Sequence, residues 1–271
     1  LIEFLSAGDI LYGCTDMGAC NYNSEAVADD GNCEYQEATW YASEDGNDEN
    51  CGSVNYPLAH IQTAIDMAAA AGDQSVMVYP GIYSEHIYIE NEMNLYSDDG
   101  AIIDATNYLG GINILASNVT VEGFEIIGSE STMYGISIEP GSDNVTIQSN
   151  IIHGMSMPNS SSPLSYGILV YGDDDAGDEL DPPENILIES NIVREISGSG
   201  ISLGTHTKNA TIRYNWISNI TPVEFQGESV SIGIQGVLAE DIDIDDNHFE
   251  NLIIGINLGL STGIIANSSY T

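Results

Sequence analysis

A chain of 271 residues with 42 acidic and 3 basic side chains has a formal net charge of -39 and a pI near 4.1. This balance excludes a nucleic-acid partner, since nothing is present to neutralise a row of phosphates, and it argues against an anionic membrane surface. Hydrophobic residues make up 42 %, too many for a disordered acidic tail, so a folded protein screened by salt or divalent cations in a saline or calcium-containing exterior is expected.

No apolar run approaches the roughly 20 residues of a membrane span, so no membrane insertion is expected. The chain starts at Leu1, as either a processed secretory protein or an excised fragment would. Residues 1–12, LIEFLSAGDILY, read as an extended segment whose apolar residues find no partner nearby. It is expected to pair as a strand with another part of the chain or with a neighbouring molecule.

Residues 13–51 form a Cys- and Asp-rich module. Cys14, Cys20, Cys33 and Cys51 all fall in it, and their even number reads as two disulfides in an oxidising, extracellular or cell-surface location, with the pairing open. A zinc site is the rival reading, but no C-x-x-C pair occurs and the nearest histidine is His60. Asp16, Asn21, Asn23, Asp29 and Asp30 surround a turn at Gly31. Hard oxygen ligands of this kind suit calcium; the plainer reading is that Asx side chains cap turns. The stretch GCTDMGACNYNSEAVADDGNC resembles a short Cys-rich, acid-rich repeat of large secreted proteins from marine bacteria and archaea, present here in one copy.

Residues 52–271 read as a second unit. Leu58, Ile61, Ala64, Ile65 and Ala68 have helical spacing and Gly72 stops the pattern, which predicts a helix over 58–71. Apolar alternation then takes over. A Gly-Ile pair recurs at Gly111, Gly135, Gly167, Gly200, Gly233 and Gly255, and a second segment recurs as NVTVEGF, NVTIQSN, NILIESN, NATIRYN and DIDIDDN. Such a period marks a solenoid with three short strands per coil. Asn150, Asn191, Asn215 and Asn247 are expected to stack as an asparagine ladder. Period-two alternation sends Val121, Ile147, Ile188, Ile212 and Ile244 inward, with Val119, Val145, Ile186, Ala210 and Ile242 as a second inner column. Glu122, Gln148, Glu189, Arg213 and Asp245 face out, placing Arg213 between two acids.

The order P-L-x-x-I-Q-x-A-I-D, then V-x-V-x-P-G-x-Y-x-E, resembles the entrance to pectate-lyase-like β-helices, in which a helix caps the open end. The fold expected is therefore all-β: a right-handed parallel β-helix with a capping helix and a small disulfide-stapled N-terminal module. Insertions from Met155 and from Thr221 should project from one edge. The acidic insertion from Gly172 to Glu184 should lie beside Asp143 on one side and His206 and Lys208 on the other.

The resemblance implies a carbohydrate-active prior, but a fold alone carries no activity. A lyase needs a Lys or Arg near the α-proton, often with calcium. Lys208, Arg194 and His206 are the candidates, with Arg213 reading as structural. Lys208 and Arg213 lie roughly 16 Å apart along one extended segment and cannot act as a dyad. A glycan-binding groove would be expected around Tyr166, Tyr171 or Trp216. Asp173, Asp174 and Asp175 form a second candidate calcium loop, and sequons occur at Asn118, Asn144, Asn159, Asn209, Asn219 and Asn267, with Asn159 the best glycan acceptor. Two functional readings follow. The preferred one is a secreted or cell-surface structural protein, glycosylated and calcium-stabilised, that self-associates through strand edges; its C-terminus, GIIANSSYT, stops in mid-pattern, which suits either an edge that receives a strand from another subunit or a longer natural chain that continues the solenoid. The alternative is a calcium-dependent polysaccharide lyase or epimerase, or a glycan-binding module.

Overall fold

The computed structural model describes residues 10–156, 164–172, 181–225 and 228–271. Short parallel strands wind into a three-faced solenoid. The first face runs through Ser75–Val78, the start of Met93–Asp104, the start of Val119–Ile127, Thr146–Gln148, Glu184–Glu189, Lys208–Arg213, Ile242–Asp245 and Gly263–Ala266. The second runs through Gly81–Tyr83, the ends of the same two long strands, Ile151–His153, Ile192–Arg194, Trp216–Ser218, His248–Glu250 and Ser269–Tyr270. The third stacks Ile87–Ile89, Gly110–Ile114, Tyr134–Ile138, Ser165–Val170, Gly198–Leu203, Ile232–Val237 and Ile254–Gly259.

The columns read from the sequence are present. Val121, Ile147, Ile188, Ile212 and Ile244 stand opposite one another and are fully buried, each such side chain contributing roughly 1.5–3 kcal/mol. Between the first and second faces the chain turns at a residue with positive φ, Ser149, Ser190, Tyr214 or Asp246, followed by the ladder asparagine. The Oδ1 of Asn191, Asn215 and Asn247 accepts the backbone N–H of the ladder residue one coil before it, at 3.0 Å each time. Each side-chain amide of Asn150, Asn191 and Asn215 donates onward to the next asparagine at 2.9–3.1 Å. The ladder starts on the Phe124 N–H and ends on Ser268 Oγ, so every interior backbone donor at this corner is satisfied.

Gly-Ile recurs for a different reason. A Cβ on Gly135 would stand 2.4 Å from Ile152 Cγ2 and 2.7 Å from the Gly167 carbonyl, and Gly111, Gly167, Gly200 and Gly233 meet the same obstruction one coil at a time. From Gly111 to Gly233 the column has no room for a side chain, while the isoleucine that follows fills the interior; at Gly255 the nearest atom would stand 3.4 Å away, an ordinary contact.

The helix is Ile61–Ala71, three residues shorter at its start than the spacing predicted. Leu58 is buried, but as a β-bridge partner of Ala42 with its N–H and carbonyl bonded to Tyr41 and Ser43, so it is held extended. The helix N-terminus is closed from outside: Glu85 accepts the N–H groups of Ile61 and Gln62 at 2.9 and 3.0 Å, opposite the positive end of the helix dipole. At the other end Gly72, at φ 82°, donates to Ala68 and Ala69. The helix packs on Thr39–Ala42, Ser75–Val78 and Ile87–Ile89, closing the first coil.

Disulfides join Cys14 to Cys33 and Cys20 to Cys51. Strand Thr39–Ala42 pairs in parallel with Ser75–Val78, so the sheet begins ahead of the boundary that composition drew at Cys51.

Candidate functional site

Among the described residues, the outward side of the third face carries a connected polar and aromatic network. Tyr88, Asn113 and Ser137 occupy one column, Tyr134 and Tyr166 another, and Glu139 and Tyr171 follow at the strand ends. Asn113 Nδ2 donates to Glu139 Oε1 at 3.3 Å, which fixes the amide orientation. Asn113 Oδ1 then accepts from the Tyr134 hydroxyl at 2.6 Å and from His86 Nε2. His86 Nδ1 is left to accept the Tyr88 hydroxyl at 3.1 Å, and the Tyr88 and His86 rings lie 4.5 Å apart. Ser137 donates to the same Glu139 oxygen at 2.8 Å.

Burial pushes the Tyr134, Tyr166 and Tyr171 phenols up, and the Glu139 charge adds to this at Tyr134 and Tyr171. Among the described residues the strip holds tyrosine hydroxyls, an amide, aromatic rings and the Glu139 carboxylate, with Tyr134 and Ser137 buried within the network. Groups of these kinds can orient a polar ligand by hydrogen bonds and stacking, whereas glycoside hydrolysis requires two carboxylates flanking one bond. Of the aromatics expected from the sequence, Tyr166 and Tyr171 belong to this strip. Trp216 does not: it stands on the second face, its ring 5.0 Å from that of His248. His86, Tyr88, Asn113, Tyr134 and Glu139 were not anticipated, although Tyr134 and Tyr166 both immediately precede a Gly-Ile pair and could have been aligned as a column.

The three basic side chains do not converge. Lys208 pairs with Glu184 at 3.3 Å and Arg213 with Glu189 at 2.7 Å, at opposite ends of one first-face strand. Arg194 pairs with Glu195 at 2.9 Å on the second face. Arg213 also stands opposite Asp245 as expected, though Asp245 accepts its hydrogen bond from Asn267. His206 occupies a positive-φ position in the turn before Lys208.

In the module, Asp16, Asn23, Asp29 and Asp30 each accept a backbone N–H two residues on, at 2.9–3.0 Å, the geometry of Asx turns. Asn21 instead clamps Glu34 and Asn32. Asp173, Asp174 and Asp175 lie outside the described residues, as does Asn159. The remaining sequon asparagines, Asn118, Asn144, Asn209, Asn219 and Asn267, all have φ between 47° and 60° at exposed corners, apart from the interior ladder. Asparagine adopts this left-handed backbone more readily than most residues, and this explains its recurrence. Insertions at Met155 and Thr221 do leave the same corner, flanking the Ser197–Thr221 bridge. The acidic insertion rejoins beside Asp143, which accepts the Glu184 N–H at 2.8 Å, and beside Lys208.

Residues 81–234, over half of the chain, match the right handed beta helix region. The chain belongs to the right-handed β-helix family. Over 96 residues this β-helix protein is 35 % identical to a cell surface glycoprotein of Methanothermus fervidus, covering 35 % of the present chain and 16 % of that relative. Among solved structures, a rhamnogalacturonan lyase aligns with a TM-score of 0.49 at 13 % identity, covering 78 % of this chain and 72 % of that one. A pectate lyase aligns with a TM-score of 0.45 at 14 % identity, covering 85 % and 78 %. No activity is carried over at such values.

Proposed function

We propose that this β-helix is a structural protein of the extracellular surface. The surface assignment is supported by the 96-residue likeness to a cell surface glycoprotein and by two disulfides, which persist in oxidising surroundings.

Surface display is tested by brief protease treatment of intact source cells followed by peptide mapping. Release of peptides from this chain before any cytoplasmic marker is the expected result, and protection until lysis overturns the assignment.

A second reading, contact with a glycan, is supported by the third-face strip. Tyr88→Ala and Glu139→Gln should weaken retention on a polysaccharide panel in affinity electrophoresis while Lys208→Ala and Arg194→Ala leave it intact. Equal retention by all four variants, or loss with Lys208→Ala or Arg194→Ala instead, removes the strip as the binding surface.

A further inference from the structure

Between the cysteine module and the first coil lies a cavity of about 380 Å³ whose walls include Glu34, Gln36, Glu37, Tyr41, Ser53 and Asn55. Among the described residues, two buried side-chain polar atoms have no hydrogen-bond partner, Gln36 Oε1 and Ser53 Oγ, and both belong to residues lining this one cavity. Ser53 is 6 % exposed. Native proteins rarely leave such groups unsatisfied, so their coincidence in one place calls for an occupant.

The chemistry of the occupant follows from what is already used. Both amide hydrogens of Gln36 are committed, to the carbonyls of Glu37 and Thr39, so its orphan atom is an acceptor that wants a positive partner. Glu34 Oε2 accepts Asn55 Nδ2 at 2.8 Å, which holds that carboxylate at the wall. Glu37 adds a second negative charge. Cys33, also at the wall, is disulfide-bonded and offers no thiolate, so a soft metal finds no ligand there. Two carboxylates, a carboxamide oxygen and a hydroxyl in a roomy, adaptable chamber form the hard-oxygen set that calcium takes, with water completing the shell. The field of a protein at -39 concentrates divalent cations at its surface.

We propose that this cavity is a calcium site, with Gln36 Oε1, Ser53 Oγ and the carboxylates of Glu34 and Glu37 as the protein ligands, and that the bound ion clamps the module to the solenoid. The mechanical argument is one of position. One wall runs from Cys33 into strand Thr39–Ala42, the first strand of the stack, and the other follows Cys51, so an ion between them ties together the two segments that the disulfides bring close. This site is distinct from the Asx turns around Gly31, whose side-chain oxygens already hold local amides.

The test uses the whole chain with terbium as the first probe, excited through the aromatic residues that include Tyr41 at the wall, and calcium, magnesium and ionic-strength-matched sodium as competitors. Titration calorimetry and thermal unfolding in calcium and in chelator accompany it, with far-UV circular dichroism to confirm that each variant is folded. Ser53→Ala and Glu37→Gln should each weaken calcium binding at this site at least about tenfold, since ligand number and charge set affinity. Both should also lose most of the calcium-dependent rise in Tm, while weak binding elsewhere on the acidic surface persists. Ser53→Ala gives a sign test: without an ion, deleting an orphan buried hydroxyl is neutral or stabilising, so in chelator the variant should be at least as stable as the native chain and in calcium less stable. Calcium affinity unchanged in both variants overturns the proposal. An equal stability change for Ser53→Ala with and without calcium, or equal stabilisation by matched sodium, overturns it as well and leaves a water-filled cavity.

Discussion

Replacing Asn191 by alanine tests the interior ladder directly. Asn191 Oδ1 accepts the Asn150 N–H at 3.0 Å and Asn150 Nδ2 at 3.1 Å, and Asn191 Nδ2 donates to the Ile147 carbonyl at 2.9 Å and to Asn215 Oδ1 at 3.0 Å. Some partners keep a second bond: Asn150 Nδ2 still reaches Val121 and Gln148, and Asn215 Oδ1 still accepts the Asn191 N–H. The Asn150 N–H loses its acceptor inside the wall. An orphaned buried donor costs roughly 1–3 kcal/mol, and the lost amide packing and remaining bonds bring the expected total to about 3 kcal/mol. Asn185→Gly is the control. Asn185 is exposed at φ 59° and its side chain holds one long contact, 3.4 Å from Asn209, so glycine keeps the backbone conformation and stability should change by less than about 0.5 kcal/mol. Urea unfolding followed by far-UV circular dichroism measures both, and hydrogen exchange at the Asn150 amide reports the local opening. If the two substitutions cost the same, or if the Asn150 amide stays protected in Asn191→Ala, the ladder does not hold this corner.

Three further outcomes are expected. Gly167→Ala would bring a Cβ to 2.3 Å from Val193 Cγ1 and 2.6 Å from the Gly200 carbonyl, whereas Gly141, at φ 82°, has nothing within 4 Å. Unfolding free energies from urea titration should fall by about 3 kcal/mol or more for the first and by about 1–2 kcal/mol of backbone strain for the second, and similar costs would reject the glycine column. The Asp48 hydrogen bond and charge hold His60 above its ordinary pKa of 6.5; burial pushes Asp48 up, but the His60 ring and the His60 and Ala59 N–H groups together hold it below 3.8. The His60 contribution is therefore fully present below pH 6.5 and lost as pH rises through the raised value, while the Asp48 contribution is lost on acidification below 3.8; a His60→Gln chain whose stability falls with pH like the native one above 6.5 would rule this pair out as the cause. Finally, the side-chain amides of Asn144, Asn209 and Asn267 already donate to a neighbouring coil, whereas Asn118 and Asn219 act as acceptors from theirs. Where the source adds glycans at these corners, glycopeptide mapping should find Asn118 and Asn219 modified ahead of the other three, and the reverse order would contradict the hydrogen-bond argument.

The solenoid was legible because its physics repeats. An inward isoleucine, a corner asparagine and a glycine without room for a Cβ recur each coil, so Ile147, Asn191 and Gly167 announce their neighbours by alignment alone. Features made once were not legible. The helix start depends on the extended Leu58 pairing with Ala42, and its N-terminal cap comes from Glu85, which lies a coil away in sequence. Asn118, Asn144 and Asn209 recur at aligned positions of the repeat as the ladder asparagines do, because a left-handed corner calls for the same residue for a different reason. The His86–Asn113–Glu139 network joins three different residue types at three different register positions of successive coils, so no repeated letter announces it, and the cavity at Gln36 and Ser53 depends on a disulfide pairing that spacing alone left open.

Accessibility on the source cell tests the central claim most directly: antibody raised against the 271-residue chain is applied to intact cells and, beside them, to lysed ones. The account predicts labelling of intact cells while a cytoplasmic marker stays unlabelled. Labelling that begins only after lysis would contradict the surface assignment.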